Sequence, residues 1–209
     1  MADSEGSAQK QLVAARRGQI LDAALLVFSE QGFHRATVRD VARAAGVADG
    51  TIYIYFANKT ELLLGLLDQL NETDQRGTQL AVSGEADFHT FFADYLRQRM
   101  TLLWPNARVF QAVLPELLTN AELRDLYFLQ VLAPTTALAE RFFAAEMARG
   151  RMRRLDVPLT VRAVAGTVFG LLVLQLLGDT EIAARWEQLP ELLTTLLLDG
   201  LQTEKETTP

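Results

Sequence analysis

Residues 32–64, GFHRATVRDVARAAGVADGTIYIYFANKTELLL, constrain this chain more than any other stretch. Thr37 has the character of an N-cap, and Asp40 stands three residues later to complete a short capping box. Val38, Val41, Ala42 and Ala45 then follow the i, i+3, i+4, i+7 spacing of a buried helical face, and Gly46 closes the helix. A helix of about two turns is predicted near Asp49 to Phe56. Asn58 with Glu61 opens another, expected to run toward Leu80. Upstream, Ile20, Leu21, Ala24, Leu25 and Phe28 form the stripe of a helix from about Lys10 to Gln31, ended by Gly32. Short helices joined by tight turns are the outline of a helix-turn-helix.

At about 100° per residue, Ile52 and Phe56 fall on nearly one side of the short third helix and form its core face. Gly50, Thr51 and Ile54 lie opposite, with Tyr53 and Tyr55 on the two edges. Such a helix suits a major groove: its central residues face base edges and its flanking phenols reach phosphates. Gly50 permits close backbone approach, and Ile54 is placed to touch a thymine methyl. The two tyrosines are equally readable as half-buried packing residues. Thr37 caps a helix and offers its hydroxyl to a phosphate. Of Arg39 and Arg43, four apart on one helix, Arg39 is the better DNA candidate. Lys59 sits in a first helical turn, where a cation opposes the dipole unless an anion approaches.

The run Gly32-Phe33, Ala36-Thr37-Val38-Arg39-Asp40-Val41-Ala42, Ala45-Gly46-Val47, Gly50-Thr51-Ile52-Tyr53-Ile54-Tyr55-Phe56 and Asn58-Lys59-Thr60-Glu61-Leu62 resembles the TetR family of transcription regulators over about fifty residues. The resemblance implies an all-helical homodimer with a DNA-reading head and a variable ligand-binding body. It aligns Thr37, Thr51, Tyr53, Tyr55 and Lys59 with phosphate-contacting positions, and Arg39, Gly50 and Ile54 with positions near base edges. Ala48 departs from the serine common at that place, and Asp49 is the candidate to take over its capping role. Within the family, Val47–Phe56 is similar to regulators of fatty-acid degradation, which respond to fatty acyl-coenzyme A.

Net charge is −6, but its distribution fits the motif. Residues 10–60 hold seven basic and four acidic side chains, a net of +3, while residues 61–209 hold thirteen basic and twenty acidic, a net of −7. So modest a basic excess calls for two heads acting together. There is no cysteine, hence no disulfide framework. His34 and His89 carry no ligand spacing, so neither a metal nor another cofactor is expected. The first residues hold no signal-peptide core, which makes the cytoplasm the expected location. No nucleophile elbow, phosphate loop or Cys/His pair is present, which argues against an enzyme.

The expected fold class is all-α: a disordered tail over 1–9, a three-helix helix-turn-helix domain over 10–59, and a larger helical ligand-binding and dimerisation domain over 60–209. In the body, helices are predicted near 87–104, 107–118, 121–132, 134–150, 159–178 and 187–202, with Pro105, Pro134, Pro158 and Pro190 marking several of the joints. Its aromatics are ordinary core by default. The resemblance adds a cavity, for which Phe91, Phe92, Tyr95, Trp104, Phe110, Tyr127, Phe128 and Phe142 are candidate lining residues and Arg99 a candidate anion partner, with Arg97, Arg108 and Arg141 as further cations. Arg149, Arg151, Arg153 and Arg154 read as partners of a helix C-terminus.

Ala163–Gly178 is the most apolar segment. At about 16 residues between Arg162 and Asp179 it falls short of the ~20 needed to span a membrane. Its small-residue face at Gly166 and Gly170 suits close helix approach. Val161, Ala165, Val168, Phe169, Leu172, Leu192, Leu193 and Leu196 are the candidate dimer interface, a four-helix contact about a two-fold axis. The expected function is a repressor released from a palindromic operator by a small apolar or amphipathic effector, with fatty acyl-coenzyme A as a candidate. A drug- or dye-sensing efflux repressor is the alternative, and a membrane-associated helical protein without DNA binding the remote one.

Overall fold

The computed structural model describes residues 2–71, 80 and 88–201; the side chains of 2–5 and 199–201 lie outside the description. Every element among the described residues is helical, and none is a strand. The elements are α1 (Ala2–Gln31), α2 (Val38–Ala45), α3 (Asp49–Tyr55), α4 (Lys59–Asn71), α5 (Phe88–Leu103), α6 (Ala107–Thr119), α7 (Ala121–Tyr127), a π segment (Phe128–Leu132), α8 (Ala133–Ala148), α9 (Val157–Leu176), α10 (Thr180–Arg185), a 3-10 turn (Trp186–Gln188) and α11 (Leu189–Leu201).

The contacts divide the chain into two compact units, Met1–Asn71 with Arg108–Val131, and Glu72–Ala107 with Leu132–Pro209. The expected boundary at 59/60 therefore falls inside the first unit, because α4 packs on α1 and α7 packs on α4. The core of this unit is aliphatic. Ile20, Leu21, Ala24, Val27 and Phe28 of α1 meet Val41 and Ala42 of α2, Ile52 and Phe56 at α3, and Leu62 to Leu67 of α4. Val109 and Val113 of α6 and Leu123 of α7 close it. Burying such side chains contributes roughly 1.5–3 kcal/mol each. Gly65 is required here: a Cβ on it would lie 2.8 Å from Cε1 of Phe56 and 3.1 Å from a guanidinium nitrogen of Arg17.

Two sequence expectations change in this unit. The polar stretch 1–9, expected to be disordered, continues α1 from Ala2. It contains no proline to interrupt the helix. The helix opened by Asn58 is described to Asn71; its continuation toward Leu80 lies outside the described residues, Leu80 itself excepted.

In the second unit, α5 packs on α11, α8 on α9, and α9 on α10. Pro134 marks no joint: it sits in the first turn of α8, where its missing N–H costs nothing, and α7 runs through the π segment into α8. Glu146 of α8 is fully buried and held by three bonds, from Nη1 of Arg149 at 2.7 Å and from Nε and Nη2 of Arg151 at 2.5 and 2.7 Å. Gly150, with φ 75°, turns the chain back so that Arg151 reaches this carboxylate. Two members of the arginine cluster thus clamp a buried acid as well as flanking a helix end. Trp186 donates its Nε1–H to the Met100 carbonyl at 3.1 Å and lies 4.8 Å from Trp104.

Candidate nucleic-acid interface

Thr37 caps α2 with an extended backbone, and the capping box with Asp40 is complete. The Asp40 N–H donates to the Thr37 hydroxyl at 3.2 Å, while the Thr37 N–H and hydroxyl donate to the Asp40 carboxylate at 3.0 and 2.6 Å. These bonds hold the Asp40 carboxyl below its ordinary pKa of 3.8, the hydroxyl contributing most. The Thr37 hydroxyl proton is therefore already committed, and a phosphate must displace a carboxylate to take it. Gly46, with φ 65°, ends α2 in the left-handed conformation and starts the turn into α3.

The short helix α3 is oriented as its periodicity predicts. Ile52 is 1% and Phe56 3% exposed, while Ile54 is 77% and Tyr53 57% exposed. Gly50 is exposed and Thr51 half-buried. Tyr55 is half-buried and packs against the aliphatic core, which favours the packing role over the outward one for this tyrosine. The α3 N-cap, Ala48, gives no side-chain bond. Asp49 does not replace it: its carboxylate accepts from Nε of Arg39 at 3.0 Å, joining α2 to α3 across the turn. A carboxylate at N1 also interacts well with the helix dipole.

Lys59 is half-buried. Its Nζ donates to the His34 carbonyl at 3.2 Å and stands 4.3 Å from the centre of the Phe33 ring. Desolvation holds its pKa below the usual lysine value, and the nearby Glu116 opposes that fall. Glu116 lies 2.6 Å from Nε2 of His34. Asn58 accepts from the Glu61 N–H at 2.8 Å, and Glu61 reaches back to the N–H of Ala57 at 2.9 Å, one residue beyond the expected partner. Sequence reasoning missed Glu116 and Gln19, whose Nε2 donates to the Ala45 carbonyl at 2.7 Å. No local spacing signals contacts between residues so far apart in sequence.

The expected ligand-lining set is divided between the two units. Phe110, Tyr127 and Phe128 belong to the first, Tyr127 packing on its core and Phe128 standing exposed. The second holds a connected ring cluster: Phe92 stacks on Phe88, Phe142 meets Phe91 at 5.5 Å, and Phe91 stacks on Tyr95. Phe92 and Phe142 are buried in it, and so is Arg99, whose guanidinium is 5.7 Å from the Tyr95 ring centre. An open groove of about 450 Å3 runs instead along Asp94, Arg97, Gln98, Thr101 and Leu102 of α5; of the expected residues only Arg97, one of the further cations, borders it. Arg97 there is ion-paired with Asp94 and with Glu191. No group of acidic or histidine side chains able to hold a metal occurs among the described residues.

The candidate dimer residues also separate. Val161, Leu172 and Leu193 are buried within their own protomer, a correction that follows from the inward faces of α9 and α11. Phe169, Leu192 and Leu196 are exposed, as is Ala165, and Val168 is half-buried. Leu159, Leu174 and Leu177 add to the exposed apolar surface of α9 and its end, which sequence reasoning left out. A Cβ on Gly166 or Gly170 would meet nothing within 4 Å. The helix itself is 20 residues long with mean hydropathy 1.9, long and apolar enough by composition to cross a membrane, since it starts at Val157 and not at Ala163.

Residues 20–66 match the family model described as bacterial regulatory proteins, tetR family. The fatty acid metabolism regulator protein of Bacillus subtilis is 51% identical over 51 residues, 24% of this chain and 26% of that protein. The regulator TtgR of Pseudomonas putida is 49% identical over 57 residues, 27% of each chain. The matched segment is thus about a quarter of the length of these curated relatives. Solved structures extend the likeness to nearly nine-tenths of the chain. The fatty acid degradation regulator FadR from Bacillus halodurans superposes with a TM-score of 0.73 at 28% identity, over 88% of this chain and 95% of that one. FadR from Bacillus subtilis in complex with stearoyl-CoA gives 0.72 at 27% identity, over 87% and 97%. Residues 20–66 thus match the N-terminal domain of the TetR family of bacterial regulatory proteins, and the helical fold of the described residues is shared with solved regulators of fatty acid degradation.

Proposed function

We propose that the chain is a homodimeric, ligand-controlled repressor that reads operator DNA with α3. The observation that carries this reading is the polarity of that helix: Ile52 and Phe56 lock one side into the core while Gly50, Tyr53 and Ile54 face outward, with Thr51 half-buried beside them. Ile54 and Gly50 meet base edges; Tyr53, with Thr51, positions the helix on phosphates. Arg39, oriented by Asp49, stands at the rim of the same surface. Thr37, Tyr55 and Lys59 touch phosphate only by giving up their internal contacts. Working where the DNA is, the protein acts in the cytoplasm.

The exposed stripe of α9 and α11 serves as the dimer face. Arg162, in the second turn of α9, donates to Glu140 at 2.8 Å, and Asp156 and Asp179 bracket the helix, which suits a protein partner better than a lipid one. Two copies hold two weakly basic heads about one DNA turn, ~34–36 Å, apart. The aromatic cluster of the body receives the effector. Long-chain acyl-coenzyme A is the favoured class, because the FadR structure that shares this fold was solved with stearoyl-CoA. Ligand coupling of about 1–3 kcal/mol weakens operator binding roughly 5–150-fold.

Duplex binding measured against salt, with and without stearoyl-CoA, tests this reading. Binding that tightens as salt falls, is weakened evenly across sequences in Tyr53→Phe, and is weakened by the thioester is expected. A folded protein indifferent to duplex DNA would refute it.

A further inference from the structure

We propose that the first turns of α1 form an arm, centred on Lys10, that grips backbone phosphates flanking each half-site. This rests on the DNA-reading proposal above. Its direction follows from two cross-helix contacts. Arg17 and Leu21 lie beside Gly65, and Asp22 accepts from Gln69 at 3.0 Å, so α1 and α4 run the same way. Lys59 opens α4 six residues before Gly65, about 9 Å along the axis. The same distance back from Arg17 reaches Gln11. Lys10 is therefore level with the start of α4, at the end where α3 leads in, and the turns before it overhang that end.

The inward face of α1 supports the assignment. Ile20, Leu21, Ala24, Val27 and Phe28 are covered by protein, and the exposed Arg17 sets its guanidinium 4.9 Å over the Phe56 ring at the edge of that face. Seven residues earlier, Lys10 points the same way within ~20°, with Val13 and Ala14 between them. Every residue from Gly6 to Arg16 is exposed, so these turns gain little from packing. Isolated helical turns of that length are marginal in water. From Gly6 to Leu21 the helix carries Lys10, Arg16 and Arg17 and no acid. Basic, uncovered turns at the end of the head where α3 leads into α4 are complementary to a phosphate backbone.

Lys10→Ala and Lys10→Glu in the full chain, titrated with a fluorescent duplex over a KCl series, test the arm. Both are expected to bind about tenfold or more weaker at 0.1 M salt on cognate and unrelated duplexes alike. The slope of log K against log salt should become shallower by about 1–2, one phosphate per head. Trimming the duplex to the half-sites should erase the difference from wild type. Unchanged affinity and slope in both variants, with circular dichroism matching wild type, would overturn the arm alone. A wild-type protein without salt-dependent duplex binding would overturn the DNA reading with it.

Discussion

The head and the body expose large apolar side chains in different ways. On α3 a single isoleucine, Ile54, stands out beside Tyr53 from a helix whose reverse side is locked by Ile52 and Phe56. On α9 and α11, Leu159, Phe169, Leu174, Leu192 and Leu196 stand out together, beside glycines whose missing side chains leave open space. One apolar group on a rigid, polar-edged helix can touch a methyl in a groove and stay soluble. So many exposed leucines, with a phenylalanine, call for a second protein surface. Family likeness follows the same division: stretches of identity near 50% cover about a quarter of the chain, in the head, while identity averages only 27–28% where the shared fold spans nearly nine-tenths of it.

The comparison can be broken most forcefully at the stripe. Phe169→Glu with Leu196→Glu should turn a dimer into a folded monomer by sedimentation, and operator affinity should drop by about 10²–10⁴ as the second head is lost. A variant still dimeric would move the interface elsewhere. Next comes the contrast within the head. Phe56→Ala should cost about 3–5 kcal/mol in urea unfolding. Ile54→Ala should leave stability within about 0.5 kcal/mol yet alter the preferred base. Equal losses would mean that Ile54 packs somewhere it is not seen to pack.

The glycines sharpen the contrast further. Gly65→Ala presses on the Phe56 ring and the Arg17 guanidinium and should cost about 1–3 kcal/mol. Gly166→Ala should stabilise an isolated protomer by about 0.5–1 kcal/mol through helix propensity, and any loss of dimer stability would reveal close helix approach there. The smallest effect concerns the α2 cap. Because the folded Asp40 pKa is depressed, its contribution is complete above the ordinary 3.8 and disappears as pH falls through the folded value. Thr37→Ala should cost about 1 kcal/mol near neutrality and less in acid, where only the bond from the Asp40 N–H to the hydroxyl remains, seen as thermal midpoints against pH.

Helical period, caps and glycine stops are local properties, so residues 32–62 by themselves determined α2, α3, the α2 capping box and the outward face of Ile54. The same local logic misjudged Asp49, whose carboxylate turned to Arg39 across the helix turn, and the stretch 1–9, which continued α1. Tertiary structure alone decided that α6 and α7 join the head, that Glu116 meets His34, and that Val161, Leu172 and Leu193 are buried while Phe169, Leu192 and Leu196 are not. The physical reason is that both sets of leucines and valines satisfy the same 3.6-residue period. Which side of an all-apolar helix faces its own core depends on where its neighbours lie, and that arrangement is fixed by packing between segments distant in the chain.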